Sequence, residues 1–267
     1  MNILIRGGGD LGSGVAFRLH NVGWKVVITE IEQPLVLRRS VSFGNAIYET
    51  QMTVEGIQAI YLENPDQIPI LLGDRIIPVL ISSETINFPS FKPNVIVDAR
   101  MLKRKSEYSL EPNPMVIGLG PGFKVGENCH AVIETNRGHY LGRVLWEGEA
   151  IADTGIPGTV SQKNHERVLK APETGYIKSN FVIGDIFKKN EIIGFVGGKP
   201  IIAPFDGYLR GLMHNGIFVQ KGVKIGDLDP RMDSNLTKFI SEKSLAIAGG
   251  VLEAILRYKY LNNHENF

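Results

Sequence analysis

The run Ala171-Pro172-Glu173-Thr174-Gly175-Tyr176-Ile177 returns as Ala203-Pro204-Phe205-Asp206-Gly207-Tyr208-Leu209, and Gly194 returns as Gly226 at the same offset. An Ala-Pro-x-x-Gly turn, a short alternating strand and a second Gly-containing turn make half of a small all-β unit. Such a half cannot bury its own apolar face, so two of them must interlock around one shared core. The duplication stands behind a different kind of opening. Ile3-Leu4-Ile5-Arg6-Gly7-Gly8-Gly9-Asp10-Leu11-Gly12 is a buried-type strand running into a G-x-G-x-x-G turn, the phosphate-loop end of a nucleotide-binding sheet.

After that turn, Leu11, Val15, Ala16 and Leu19 recur at helical spacing, and Gly23 stops the helix before a strand from Lys25 to Thr29. Apolar runs at Gln58–Leu62, Ile76–Ile81, Val95–Asp98 and Met115–Leu119 read as buried parallel strands, with Pro65–Leu72 the clearest helical connection. His130–Thr135 and Tyr140–Leu145 read as a hairpin around Asn136-Arg137-Gly138-His139. The Gly- and Pro-rich piece Asp153–Gly158 with the polar run from Ser161 is the most linker-like composition. A last helix over Glu242–Leu261 carries Leu245, Ala248, Val251, Leu252, Ile255 and Leu256 on one side. Its Gly249-Gly250 pair fits either close backbone packing or a local kink.

The expected fold class is therefore α/β. A Rossmann-like, mostly parallel sheet occupies 1–160. The duplicated all-β unit over 161–231 resembles the biotinyl and lipoyl carriers, a barrel-sandwich hybrid. A helical segment over 232–267 packs on both. Lys199 lies near the hairpin between the halves, but its spacing from Ala203 and its flanks depart from the carrier pattern, so neither biotin nor lipoate is expected.

Composition bounds the function. Lys and Arg number 29 and Asp and Glu 28, so no global field draws the chain to nucleic acid or anionic lipid, and any anion site must be local. The single cysteine, Cys129, excludes a disulfide framework or a multi-thiolate metal site within one chain and fits a reducing cytoplasm. Cys129 is expected as a small buried hydrophobe rather than a nucleophile. No apolar run approaches the roughly 20 residues of a membrane span, and no export signal is read at Met1.

Cofactor contacts are expected first at Gly7, Gly8, Gly9 and Gly12, which permit the turn and the approach of a phosphate, and at Glu30, placed to accept from a ribose hydroxyl. Asp10 either caps the helix or holds a phosphate-bound cation; a carboxylate inside the loop otherwise repels phosphate. Arg38 and Arg39 offer bidentate guanidinium contacts to phosphate or to a partner's acids. Asp98 and Arg100 end a strand at the carboxyl edge, where open α/β sheets bind ligands. Gly118, Gly120 and Gly122 could form a second amide nest after a strand. For catalysis the candidates are Glu134, Arg137 and His139 at the hairpin tip, His139 being able to exchange protons near neutral pH. No metal site is expected.

Several blocks are similar to one family: Ile5-Arg6-Gly7-Gly8-Gly9-Asp10-Leu11, Thr29-Glu30 with Pro34, Arg38-Arg39-Ser40-Val41-Ser42-Phe43, Val97-Asp98-Ala99-Arg100-Met101, Gly118-Leu119-Gly120-Pro121-Gly122-Phe123, Glu134-Thr135-Asn136-Arg137-Gly138-His139 and Lys224-Ile225-Gly226-Asp227-Leu228-Asp229-Pro230-Arg231. The chain resembles the accessory proteins of selenium-dependent molybdenum hydroxylase systems. The resemblance implies a cytoplasmic role in equipping a molybdenum hydroxylase apoenzyme with its cofactor, and names no catalytic residue. With the glycine turn, it yields the expectation of an accessory factor that binds a nucleotide or a molybdopterin dinucleotide. The alternatives are an NAD(P)-dependent oxidoreductase and a non-catalytic assembly scaffold; a homo-oligomer is compatible with all three.

Overall fold

The computed structural model describes residues 1–82, 88–102, 104–106, 108, 110–111, 114–152, 165–231 and 233–264. The linker read at Asp153–Gly158 lies outside the described residues. The first body contains β1 (Asn2–Arg6), α1 (Asp10–Asn21), β2 (Lys25–Glu30), α2 (Ala46–Glu49), β3 (Gln51–Val54), β4 (Ile57–Leu62), α3 (Ile68–Gly73), β5 (Ile77–Ile81), β6 (Val95–Asp98), β7 (Met115–Leu119), β8 (Ala131–Ile133) and β9 (Val144–Leu145). The second contains β10 (Val168–Lys170), β11 (Gly175–Lys178), β12 (Ile186–Phe187), β13 (Ile192–Val196), β14 (Lys199–Ile202), β15 (Gly207–Leu212), β16 (Phe218–Val219) and β17 (Lys224–Asp229), followed by α4 (Glu242–His264).

The nine strands of the first body form one sheet in the order β3-β4-β5-β2-β1-β6-β7-β8-β9. Its inner strands run parallel, but β3 pairs antiparallel with β4 and β9 antiparallel with β8. Strand alternation sorts the two faces. Ile3 and Ile5 point to the side holding α1 and α4, whereas Leu4, Val27 and Ile96 point to the side of Ile68 and Phe91. The helix that covers the sheet beside α1 comes from the far end of the chain, because the segments leading into β7 and β8 hold no helix among the described residues. Ile247, Ala248, Val251, Ala254 and Ile255 of α4 are buried there, while Leu256 stays exposed, so the buried stripe is rotated from the expected one. Gly250 is the close-packed member of the glycine pair. A Cβ there would strike the carbonyl of Gly142 in the β8–β9 hairpin, whereas one at Gly249 would have room.

The strands of the duplicated segment correspond in pairs, β10 with β14, β11 with β15, β12 with β16 and β13 with β17, and the halves exchange them. One four-stranded antiparallel sheet runs β10-β17-β15-β12 and the other β14-β13-β11-β16, so each sheet takes two strands from each half. Leu169, Ile177, Ile193, Ile201, Leu209, Ile225 and Leu228 share the core between them.

This arrangement corrects the expected fold class. The large sheet is mixed, with antiparallel strands at both edges, and the second body is a pair of four-stranded antiparallel sheets rather than a biotinyl/lipoyl-like barrel-sandwich hybrid. Loop crossovers and a cover helix borrowed from the C-terminal side of the chain replace the regular helix-per-strand winding of a Rossmann-like domain. Residues 37–49 fasten the two bodies. Leu212 donates its amide to the Leu37 carbonyl at 2.9 Å, and the Tyr48 ring stacks on His214 at 4.2 Å.

Candidate functional site

The glycine turn sits between β1 and α1 at the carboxyl edge of the sheet, and its own chain fills much of it. Gly8 donates its amide to Glu30 Oε1 at 2.7 Å, and its carbonyl accepts from the Gly44 amide at 2.8 Å. A Cβ at Gly8 would lie 2.7 Å from the Gly44 nitrogen, so these two backbones touch only because both residues are glycine. Burial pushes the Glu30 carboxyl above its usual range, against the two amide bonds from Gly8 and Ile31. The residue read as a ribose acceptor thus holds the turn together. Gly7 bends the chain at φ +97, Gly9 precedes the helix, and Gly12 packs on the Gly7 carbonyl.

Asp10 does not plug the turn. Its Oδ1 accepts from Arg38 Nη1 at 2.9 Å and from the Ser244 hydroxyl at 2.9 Å, which ties α1 to α4. Arg38 is buried and also donates to the carbonyls of Leu236 and Phe239. Arg39 donates to the Leu212 carbonyl at 2.8 Å. Both arginines therefore act as clasps between segments. One position further along the sheet, Asp98 is fully buried and receives Arg100 at 2.6 Å and Tyr108 at 3.1 Å, and Tyr108 in turn accepts from Arg6 at 2.8 Å. Burial, with the Asp98 charge behind it, raises the Tyr108 phenol well above its ordinary value. At the second glycine turn, Gly118 lies under the Phe123 ring, Gly120 against Thr135 and Gly122 against the Arg104 carbonyl.

The hairpin-tip candidates diverge. Glu134 is buried and accepts the amides of Asn136 at 2.7 Å and Ile151 at 2.8 Å; Arg137 reaches Glu242 of α4 at 2.6 Å; His139 is exposed beside the Tyr140 ring. Cys129 is buried and its thiol is pushed up to about 12 by burial.

The residues that do converge include several not expected from sequence. In the β unit, Arg167 and Arg210 both donate to Asp227 Oδ2, at 3.0 and 3.1 Å, and Asp229, fully buried, is held by Arg231 at 2.7 Å. Three guanidiniums share two carboxylates. The Arg167 Nε is buried without an acceptor among the described residues. Lys224 stands at the start of β17. Lys224 is exposed, yet desolvation by the surrounding protein is the first cause lowering its ammonium pKa, and the charges acting on it are Asp227, Arg167, Arg210 and Asp10. Lys243, in the first turn of α4, is likewise lowered by burial first and then by Arg137, with Asp10, Glu134 and Lys224 as its other charged neighbours. The charged groups of the hairpin tip, the β unit and the start of α4 thus gather beside the N-terminus of α1 in a cluster with a surplus of positive charge. Its signal in the sequence is charge at strand positions flanked by apolar residues: Arg210 between Leu209 and Gly211, Asp227 and Asp229 around Leu228. Among the described residues, no group of three or more His, Cys, Asp and Glu gathers as metal ligands, and no helix is long and apolar enough to cross a membrane.

No family model matches the chain. It is 41% identical over 254 residues to the uncharacterized protein YqeB of Escherichia coli (strain K12), a match over 95% of this chain and 47% of that protein. The chain thus spans about half the length of the curated relative it matches. Among solved structures, it overlays an aspartoacylase family protein from Mesorhizobium loti with a TM-score of 0.22 at 17% identity, over 32% of each chain. It also overlays a succinylglutamate desuccinylase/aspartoacylase from Rhodobacter sphaeroides with a TM-score of 0.27 at 12% identity, over 85% of this chain and 84% of that one.

Proposed function

We propose that the cluster of Lys224, Lys243 and Arg210 beside the start of α1 binds a phosphate-bearing, nucleotide-type ligand, and that the chain is a cytoplasmic accessory factor for maturation of a molybdenum hydroxylase. The observation that carries this reading is the gathering of cationic groups around Asp10 at the start of α1. Two lysines whose charge is disfavoured by burial, and a buried guanidinium N–H without an acceptor, gain from an anion that brings several oxygens at once. Glycine-turn amides are partly spent on Glu30, so the phosphates belong on the lysine side of α1 rather than inside the turn. The resemblance of the long sequence blocks supplies the maturation role and the molybdopterin dinucleotide as ligand.

One observation favours the scaffold reading instead: Gly8 and Gly44 close the turn with backbone. Titration calorimetry with CTP, NAD, NADP and purified molybdopterin dinucleotide separates the readings. The proposal expects binding of the molybdopterin dinucleotide, weakened about tenfold by Lys243→Ala and by Lys224→Ala through loss of a charged hydrogen bond. NAD binding with turnover would establish an oxidoreductase, and absence of all binding a scaffold. Copurification of a tagged chain with the hydroxylase tests the maturation role; recovery of neither enzyme nor pterin refutes it.

A further inference from the structure

The outer face of the sheet β14-β13-β11-β16 breaks the usual rule for a one-sided antiparallel sheet, in which outward positions are polar. Tyr176, Phe218, Phe195, Ile192 and Ile202 are all exposed there, at 59, 54, 42, 44 and 41%. The register makes them neighbours. Ile192 stands opposite Ile202, Phe195 between Pro200 and Lys178, and Tyr176 opposite Phe218 with ring centroids 5.2 Å apart. Together they expose roughly 500 Å² of apolar surface, near the upper end of what a monomer carries without a partner. Nothing in the core requires this composition, because the inward residues Ile177, Ile193, Val196, Ile201 and Val219 already fill the space between the sheets.

The unpaired charge on this face is positive. Lys178 projects from its middle on β11, two residues from Tyr176 and opposite Phe195, and has no carboxylate partner among the described residues. Lys221 adds an exposed cation just beyond β16, while Lys199 at the opposite edge is answered by Glu173 at 3.7 Å. A second copy of the chain docked face to face about a two-fold axis would bring the Lys178 cations toward each other inside an apolar contact, an arrangement that disfavours self-association. A surface that presents apolar side chains around a carboxylate satisfies both features.

We infer that this sheet face is a docking surface for a different protein whose contact segment is apolar and carries an Asp or Glu that pairs with Lys178. The inference stands on the β unit alone and does not require the ligand proposed for the lysine cluster.

The test uses the full chain, produced in its own cells with p-benzoylphenylalanine in place of Phe218 and irradiated. The expected result is a covalent adduct with a second polypeptide whose attached peptide, read by mass spectrometry, contains an acidic residue among apolar ones. Lys178→Glu should lower the adduct yield about tenfold or more, as like charge placed across an interface does, and Lys178→Arg should keep it. Both positions are exposed, so an unchanged thermal midpoint certifies the fold of each variant. The inference is overturned by no interprotein adduct, by an adduct with a second copy of this chain, or by an adduct indifferent to Lys178→Glu.

Discussion

Arg38→Met removes the clasp that joins the glycine turn to the approach of α4 while keeping most of the buried stem. Three acceptors lose their donor: Asp10 Oδ1 and the carbonyls of Leu236 and Phe239. Asp10 retains the Ser244 hydroxyl and is a third exposed, so water can replace part of what it loses. The two carbonyls are held by a guanidinium whose side chain is 6% exposed, in part-buried hydrogen bonds, and each acceptor left without its donor costs roughly 1–3 kcal/mol. A total loss of about 3–5 kcal/mol follows, in the range for removing one partner of a buried charged pair and a large part of a typical domain's stability. Urea unfolding followed by far-UV circular dichroism measures it, as a lower midpoint at unchanged slope. Arg38→Lys should recover less than half, because an ammonium cannot present two parallel N–H groups to separate carbonyls while reaching Asp10. A loss under about 1 kcal/mol, or full rescue by lysine, would refute the view that Arg38 is a fork joining three segments.

Asp229 is held below the ordinary carboxylate range: burial raises its pKa, but the hydrogen bonds and charge of Arg231, with the Arg167 charge, outweigh that effect. Its contribution to stability is therefore present at neutral pH and is lost as pH falls through the folded value, so Asp229→Asn should lower stability at pH 7 and flatten its decline below about pH 4 in thermal melts. Gly250→Val should separate α4 from the Gly142 carbonyl and speed hydrogen exchange along α4 and α1 together, since these two helices pack on each other. Exchange confined to the substituted turn would contradict that coupling. Cys129, with its thiol at about 12, should resist iodoacetamide at pH 8 in the native chain and react on denaturation; rapid native labelling would place the thiol at the surface instead.

Much of the local structure was legible because it rests on short-range rules. The strand, glycine turn and helix at the start, the strands of the central sheet and the hairpin around residues 136–139 follow from apolar runs and turn residues. The exchange of strands between the duplicated halves follows from the repeat. β3 is not legible in the sequence because Gln51-Met52-Thr53-Val54 carries only one fully buried side chain, so its apolar pattern is weak. The rotated stripe on α4 has a different cause. Leu256 and Ala254 differ in hydrophobicity in favour of the leucine, yet the alanine is buried, because close approach to α1 and the hairpin selects for small side chains there.

The candidate site divides in the same way. Chain-local chemistry determined that residues 7–12 form a tight turn at a helix start, that Cys129 suits an interior and that the β unit must share one core. Tertiary structure alone decided the partners of the charged groups, because a charge-pair partner is set by three-dimensional proximity and not by spacing along the chain. Arg38 meets Leu236, Asp10 meets Ser244, and Lys224 of β17 comes within electrostatic reach of Lys243 of α4. Glu30, Arg38 and Arg39 have the residue types of phosphate and ribose contacts, and their neighbours in space turn them into internal ties.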